Sequence, residues 1–170
     1  NNTLTLGGNL IRTDGALGAS TGSSLVINGT GDFGDLVFTF TESANNPINN
    51  LTINRAGGTV YLGSSLIVGG AFSHTAGTLS LGQFSAYTLT LRGNFTRSGT
   101  AAFAVFNNSS LVIDGAGTMP ANVNIQGPDF FTLTMDRPNA TFSSNSDMHL
   151  VNLNLFNGVV NNSGLNITMA

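Results

Sequence analysis

The chain has 170 residues with a formal net charge of −3, and only 8% of them are charged, about a third of the share usual in soluble domains. The absence of cysteine excludes a disulfide framework, and five scattered arginines form no basic stripe of the kind that binds nucleic acid. A hydrophobic content of 41% is too high for a disordered chain, yet the longest apolar run is far shorter than the roughly 18 residues of a membrane span.

Apolar–polar–apolar triplets recur along the chain and have the two-residue period of half-buried β-strands. No window shows the 3.6-residue period of a helix, and glycine-containing corners between the triplets supply the positive-φ bends that short strands need. Several triplets follow one another at 21 or 22 residues, a spacing that suits a coil of three short strands. In chain order the triplets are Leu4–Leu6, Leu25–Ile27, Leu51–Ile53, Leu79–Leu81, Leu89–Leu91, Leu111–Ile113, Leu133–Met135, Leu153–Leu155 and Leu165–Ile167.

The sequence also repeats with a second, longer period. The segment TLTLGGNLIRTDG at 3–15 matches TLTLRGNFTRSGT at 88–100, and NNLTINRAGGTV at 49–60 matches FTLTMDRPNATF at 131–142. Self-similarity on this scale is typical of solenoids, whose repeats bury their apolar faces only by stacking on one another. We therefore predict two long repeats of about four coils each, residues 1–87 and residues 88–170, in one continuous solenoid.

The predicted fold class is all-β: a parallel β-helix (β-solenoid) of about eight coils of roughly 21 residues. An antiparallel sandwich also needs short alternating strands, but it does not explain near-identical segments 82 to 86 residues apart. The aliphatic residues predicted to point inward are Leu4, Leu6, Leu25, Ile27, Leu51, Ile53, Leu89, Leu91, Leu111, Ile113, Leu133, Met135, Leu165 and Ile167. The phenylalanines predicted to fill the wider parts of the core are Phe38, Phe40, Phe72, Phe95, Phe103, Phe106 and Phe142.

The chain both starts and stops inside the repeated motif. Solenoid ends normally carry a cap, because a bare end exposes a strand edge and an apolar cross-section. We therefore expect either that these residues are a slice of a longer protein or that identical subunits pack end to end.

The order of motifs along the chain resembles repeat modules of very large secreted or cell-surface proteins of Bacteroidetes-type bacteria. The segments that carry the resemblance are Leu51–Asn54, Thr59–Leu62, Leu66–Gly69, Gly77–Leu81 and Tyr87–Phe95. It covers nearly the whole chain and is weakest at 31–48 and 143–164. The resemblance implies an adhesin-like stalk, located outside the cell or at its surface and exported by a type IX secretion route.

Candidate chemistry is sparse. Parallel β-helices include polysaccharide lyases and hydrolases, whose sites need convergent carboxylates with a basic partner. Asp32 and Asp35 are the only close acidic pair, and they are weak candidates for a cation or sugar site, since such pairs more often form Asx turns at a corner. His74 and His149 lie in corresponding places of the two long repeats, so we expect separate surface or corner histidines. The sequence predicts no catalytic residue, no cofactor-binding residue and no cofactor.

Other polar residues recur with the repeats. Arg12 matches Arg97 and Arg55 matches Arg137, and we expect all four to point outward and keep the surface soluble. Asn–Asn pairs at 45–46, 49–50, 107–108 and 161–162 predict amides stacked between coils. Recurring threonines raise the possibility of an ice-binding face, although valine replaces threonine in two coils. These threonines are Thr5, Thr39, Thr52, Thr90, Thr134 and Thr168.

These observations favour a non-catalytic structural segment of a large extracellular adhesin-like protein. The alternatives are a carbohydrate-binding or carbohydrate-cleaving β-helix and an ice-binding solenoid. The expected partners are neighbouring repeats of the same chain or identical subunits stacked end to end, together with surface glycans. Neither nucleic acid nor a membrane span is expected.

Overall fold

The structure, a computed structural model, describes residues 2–38, 47–161 and 166–170. In these ranges the chain winds into a parallel β-solenoid of about seven coils of about 22 residues, with no helix. The predicted fold class is confirmed, with one coil fewer than the predicted eight. Every strand pairing in the described ranges is parallel, which excludes the antiparallel sandwich.

The strands form two sheets. One has the order β1-β2-β4-β6-β9-β11, with β3 beside β4 and β8 beside β6, and the other has the order β14-β13-β12-β10-β7-β5. The strands are β1 Asn2–Leu6, β2 Ser23–Thr30, β3 Gly34–Leu36, β4 Asn50–Leu62, β5 Leu66–Val68, β6 Phe72–Ser80, β7 Thr88–Leu91, β8 Phe95–Arg97, β9 Ala102–Ala104, β10 Ser110–Asp114, β11 Ile125–Gln126, β12 Phe131–Ser143, β13 Met148–Asn161 and β14 Ile167–Met169.

The repeated triplets form two ladders. In the first sheet Leu4, Leu25 and Leu51 stack in register, and the ladder continues through Phe72 to Phe95. In the second sheet a separate ladder contains Leu66, Leu89, Leu111, Leu133 and Leu153. Similar sequence therefore indicates a similar local strand without fixing which side of the solenoid that strand occupies.

One cluster of buried apolar side chains runs through the length of the solenoid and contains most of the predicted inward residues. Leu4 is wrong as a core prediction: its side chain is 46% exposed, because β1 has a strand on one side only. Leu6, Phe106 and Ile167 are partly buried. Phe40 and Leu165 lie outside the described residues. The division into two long repeats stays a prediction.

Two long strands, β4 and β12, bend around a corner within their 13 residues. The bend falls at Gly57 in β4, with φ 69°, and at Asn139 in β12, with φ 60°. Glycine and asparagine tolerate this left-handed conformation better than other residues do. The residue two positions before each bend is an arginine, so each bend also fixes where that arginine points.

Asparagine side chains connect successive coils, as expected, although by a different geometry from a stack of asparagines. Asn50 donates from Nδ2 to Ser24 Oγ at 3.2 Å and accepts from the Ala71 backbone N–H at 2.8 Å, so it bridges the coils on both sides. Asn107 Oδ1 accepts from the Phe130 N–H at 3.1 Å in the same way. These bonds pair amides with backbone groups and hydroxyls. The Asn45–Asn46 pair and Asn162 lie outside the described residues.

Candidate functional site

The acidic pair lies around the start of β3. Asp32 is at the corner that leads into this strand, and Asp35 is on the strand itself. Asp32 follows Gly31, whose φ of 72° turns the chain, and Asp32 Oδ1 accepts from the Thr59 backbone N–H of the next coil at 2.9 Å. Asp35 lies opposite Tyr61 in the parallel register between β3 and β4. The neighbouring Leu36 is buried, so the alternation of the strand directs Asp35 outward.

These two carboxylates line an open groove of about 320 Å³. One wall comes from the segment that contains Leu10 and Arg12, and the other comes from Gln83. The groove therefore collects side chains that lie far apart in sequence. We call it the Arg12–Gln83 groove, and the described residues that line it are Leu10, Arg12, Asp32, Gly34, Asp35, Tyr61 and Gln83.

The described residues contain no group of three or more His, Cys, Asp or Glu side chains placed to hold a metal ion. At the predicted pair, one oxygen of Asp32 is already engaged by a backbone amide.

Nothing in the described ranges forms a helix of the length and hydrophobicity that crossing a lipid bilayer requires.

Arg55 is fully buried, so its predicted outward orientation is wrong. Its guanidinium donates to the carbonyl oxygens of Asn28 at 2.6 Å and Asp32 at 3.3 Å, and also to the Gly31 carbonyl, all in the preceding coil. It reaches one coil further back, where Asn9 Oδ1 accepts at 2.7 Å. The charge is thus surrounded by carbonyl dipoles from two other coils, which replace the water that burial removes.

Arg137 repeats this arrangement in the other sheet and is also fully buried, against prediction. It donates to the Asp114 carbonyl at 3.0 and 2.8 Å, to the Thr118 carbonyl at 3.1 Å and to the Leu91 carbonyl, two coils back, at 2.8 Å. Burial lowers the pKa of the Arg137 guanidinium, and the Asp114 carboxylate opposes that shift. Each buried arginine therefore ties three coils together.

Arg12 and Arg97, the other two arginines at matching positions of the repeat, differ from each other in burial. Arg12 is exposed, as predicted, and its one hydrogen bond within the described part of the chain goes to the Gly15 carbonyl at 3.1 Å. Arg97 is partly buried and donates to the Ala101 carbonyl at 2.6 Å and to Asn122 Oδ1 at 2.8 Å. Burial lowers the pKa of Arg97 as well.

His74 lies in the core, which contradicts the predicted surface or corner position. It occupies the ladder position of Ile53 and packs between the rings of Phe72 and Phe103, at centroid distances of 5.7 and 5.6 Å. Nε2 lies 3.0 Å from the Gly77 carbonyl, whereas Nδ1 is buried with no hydrogen-bond partner among the residues that the structure describes. Burial lowers the pKa of His74 to about 4, and the Arg97 charge adds to the lowering. His149, in β13, is partly buried beside Phe130.

The threonines considered for an ice-binding face divide between the two sheets. Thr5 and Thr52 are separated by Val26, and Thr90 and Thr134 by Val112. Thr39 lies outside the described residues. A regular threonine array is therefore absent from the faces that the structure describes.

Comparison with known protein families, with curated proteins and with solved structures gives no match.

The buried arginines were missed because an arginine after an alternating strand normally points to water. A signal was nevertheless present: both follow a triplet at the same distance and precede a Gly–Gly or Asn–Ala corner. Tyr61 and Gln83 had no comparable signal, because only the coil register brings them beside Asp35.

Replacement of Arg55 by Met should lower the free energy of unfolding by about 3 kcal/mol, because several carbonyl groups lose a donor in a buried corner. Urea denaturation followed by circular dichroism measures the change. Arg12→Met is the matched control and should alter stability by no more than about 0.5 kcal/mol, since Arg12 is exposed and makes one bond. Equal effects of the two substitutions would contradict the assigned role of Arg55.

Stability should also fall as the pH drops from about 6.5 towards 4, the window between the usual pKa of His74 and its lowered folded-state value. The unfolded chain binds a proton there that the folded chain excludes, so the loss is on the order of 3 kcal/mol. Urea titrations across this window measure it. His74→Gln keeps a donor for the Gly77 carbonyl and removes the titration, so its stability should change less with pH than that of the wild type. Parallel curves for the two proteins would contradict the prediction.

Proposed function

We propose that the chain is a non-catalytic structural segment, a stiff stalk element of a large extracellular adhesin-like protein. The observation that carries the proposal is the pair of fully buried arginines, each bonded to carbonyl groups in two preceding coils. These bonds add to the backbone ladders that already connect neighbouring coils. Within each set of three coils joined by such an arginine, the coil that carries the arginine therefore cannot separate from its neighbour without also breaking a bond to the third.

The stiffness of such a segment follows from its parallel pairing. About seven coils stacked at roughly 4.8 Å share one continuous apolar core, so bending the rod would open ladder hydrogen bonds on one side. A scaffold of this kind has no need for a reaction centre, and the proposal assigns no reaction to the chain. Its mechanical task would be to hold a binding region away from the cell.

The proposed location outside a bacterial cell rests on the resemblance of the repeated strand motifs to secreted surface modules. The low content of charged residues and the many Asn, Ser and Thr at polar positions agree with it. No solved structure or curated protein adds to this support.

We further propose that another β-coil packs on the open face of β13, supplied by the same protein or by an identical subunit. β14 covers only Met148–Leu150 of this strand among the described residues. Beyond that segment Leu155, Phe156 and Val159 are 51%, 71% and 54% exposed, on a part of β13 that β14 does not pair.

Pulling on the two ends of the chain in an optical trap should test the mechanical role. Release of a single coil of about 22 residues lengthens the chain by roughly 75 Å. Because each buried arginine joins three coils, the wild type should yield in steps of several coils. The double variant Arg55→Met with Arg137→Met should yield one coil at a time and at lower force. Single-coil steps at equal force in both proteins would contradict the proposal.

Antibodies raised against the chain should label intact cells of the source organism as strongly as permeabilised cells. Such labelling would follow directly from a position at the outer surface. An antibody against a cytoplasmic protein provides the control for cell integrity. Labelling confined to permeabilised cells would contradict the proposed location.

A further inference from the structure

We propose that the Arg12–Gln83 groove binds a neutral oligosaccharide. The proposal goes beyond the stalk function and does not depend on it, because a sugar site can exist on the side of a rod of any mechanical role. It rests on the chemistry of the lining residues, on the polar atoms that they leave to solvent and on the hydrogen bonds that hold part of the lining in place.

The groove concentrates polar groups that have unused hydrogen-bonding capacity. Within the described part of the chain, the Asp35 carboxylate, the Tyr61 hydroxyl and the Gln83 amide have no hydrogen-bond partner in the protein. Arg12 donates one bond, from Nη1 to the Gly15 carbonyl, and keeps its other donors. Acceptors and donors therefore face the same space from different coils.

This set of groups matches the hydroxyls of a sugar, each of which donates and accepts. A carboxylate accepts from two neighbouring hydroxyls, whereas a guanidinium and a carboxamide donate to the oxygens of the same ring. The Tyr61 ring offers an apolar face with a polar tip, which suits a ligand that is apolar on one side and wet at its edge.

The net charge of the groove lining distinguishes neutral sugars from anionic ones. Two carboxylates, Asp32 and Asp35, line the groove with one guanidinium, that of Arg12, so the excess charge is negative. An anionic sugar or a phosphate would be repelled by this excess. A neutral oligosaccharide carries no such penalty, and this decides the class of ligand.

Hydrogen bonds within the protein hold the Asp32 corner of the groove in place before any ligand arrives. Buried Arg55 bonds both to the Asn9 side chain, just ahead of the Arg12 wall, and to the Asp32 carbonyl. The Asp32 carboxylate is fixed in turn by the Thr59 N–H. Binding therefore requires little ordering at the Asp32 corner, which favours affinity for a weakly interacting ligand such as a sugar.

The groove also has the length for an extended ligand. Asp35 and Tyr61 lie on neighbouring strands, and Arg12 and Gln83 come from the coils on either side of them. Three steps between coils span roughly 14 Å. A second cavity of about 230 Å³ shares Leu10 and Arg12 with the groove and extends the surface further.

The larger groove on the other half of the chain provides a contrast. It measures about 520 Å³, and the described residues that line it are small, polar and proline residues with Met119, none of them charged or aromatic. Volume alone would favour that groove. The sugar-matching chemistry is found at the Arg12–Gln83 groove, and this difference supplies a matched control.

Isothermal titration calorimetry on the 170-residue chain tests the proposal. The probes are cellotetraose and mannotetraose as neutral oligosaccharides and tetragalacturonate as an anionic one. We expect saturable binding of at least one neutral probe and none of tetragalacturonate. Asp35→Asn should weaken the binding about tenfold and Gln83→Ala about fivefold, since each removes hydrogen bonds to the sugar. Tyr61→Phe, which keeps the ring, should weaken it less than Tyr61→Ala.

Controls separate a groove effect from loss of fold. Thr141→Ala, in the 520 Å³ groove, should leave the affinity unchanged, and every variant should keep the wild-type circular dichroism spectrum. A chelator should not change the affinity, because the proposed contacts are direct. Absence of saturable binding by both neutral probes, tighter binding of tetragalacturonate, wild-type affinity of Asp35→Asn, or a strict requirement for a divalent cation would each overturn the proposal.

Discussion

The parallel register between successive coils is the constraint on which the rest of this structure depends. A single coil leaves its strand N–H and C=O groups and its apolar face exposed, and only a coil above and a coil below satisfy both. Leu66, Leu89, Leu111 and Leu133 stack in one unbroken ladder for this reason. The same register decides which outward side chains become neighbours, so Asp35 and Tyr61 meet although they lie in different coils.

The second feature that shapes the molecule is the burial of polar and charged side chains in its interior. The interior admits Arg55, Arg137 and His74, each of which is fully buried. The arginines have a compensating set of carbonyl oxygens, whereas His74 keeps one nitrogen unpartnered and avoids its charge by a lowered pKa. A buried arginine that donates to carbonyl groups of other coils connects those coils to its own. A buried histidine with one unbonded nitrogen instead makes the stability of the core fall at acidic pH.

Much of the fold could be predicted from the sequence, because alternation and repetition report directly on strands and stacking. The apolar triplets identified Leu111, Ile113, Leu133 and Met135 as core residues, and all are buried. Alternation continues as far as the bend, because Leu133, Met135 and Arg137 are all buried in β12. Arg137 was wrongly predicted to point outward because its residue type was given more weight than its place in this two-residue period. Alternation also could not show that Arg12, Tyr61 and Gln83 share a groove, because that depends on the unequal lengths of the coils.

The assignment of the T-L-T-L strands to different sheets has a consequence for how such a chain meets its surroundings. β1 belongs to the first sheet, whereas β7, which has the same TLTL sequence, belongs to the second. Triplets in successive coils stay in one sheet, but this motif has changed sheet by the time it returns at β7. A group carried by the T-L-T-L motif is therefore displayed on two different sides within one chain, so a partner could approach from either of them.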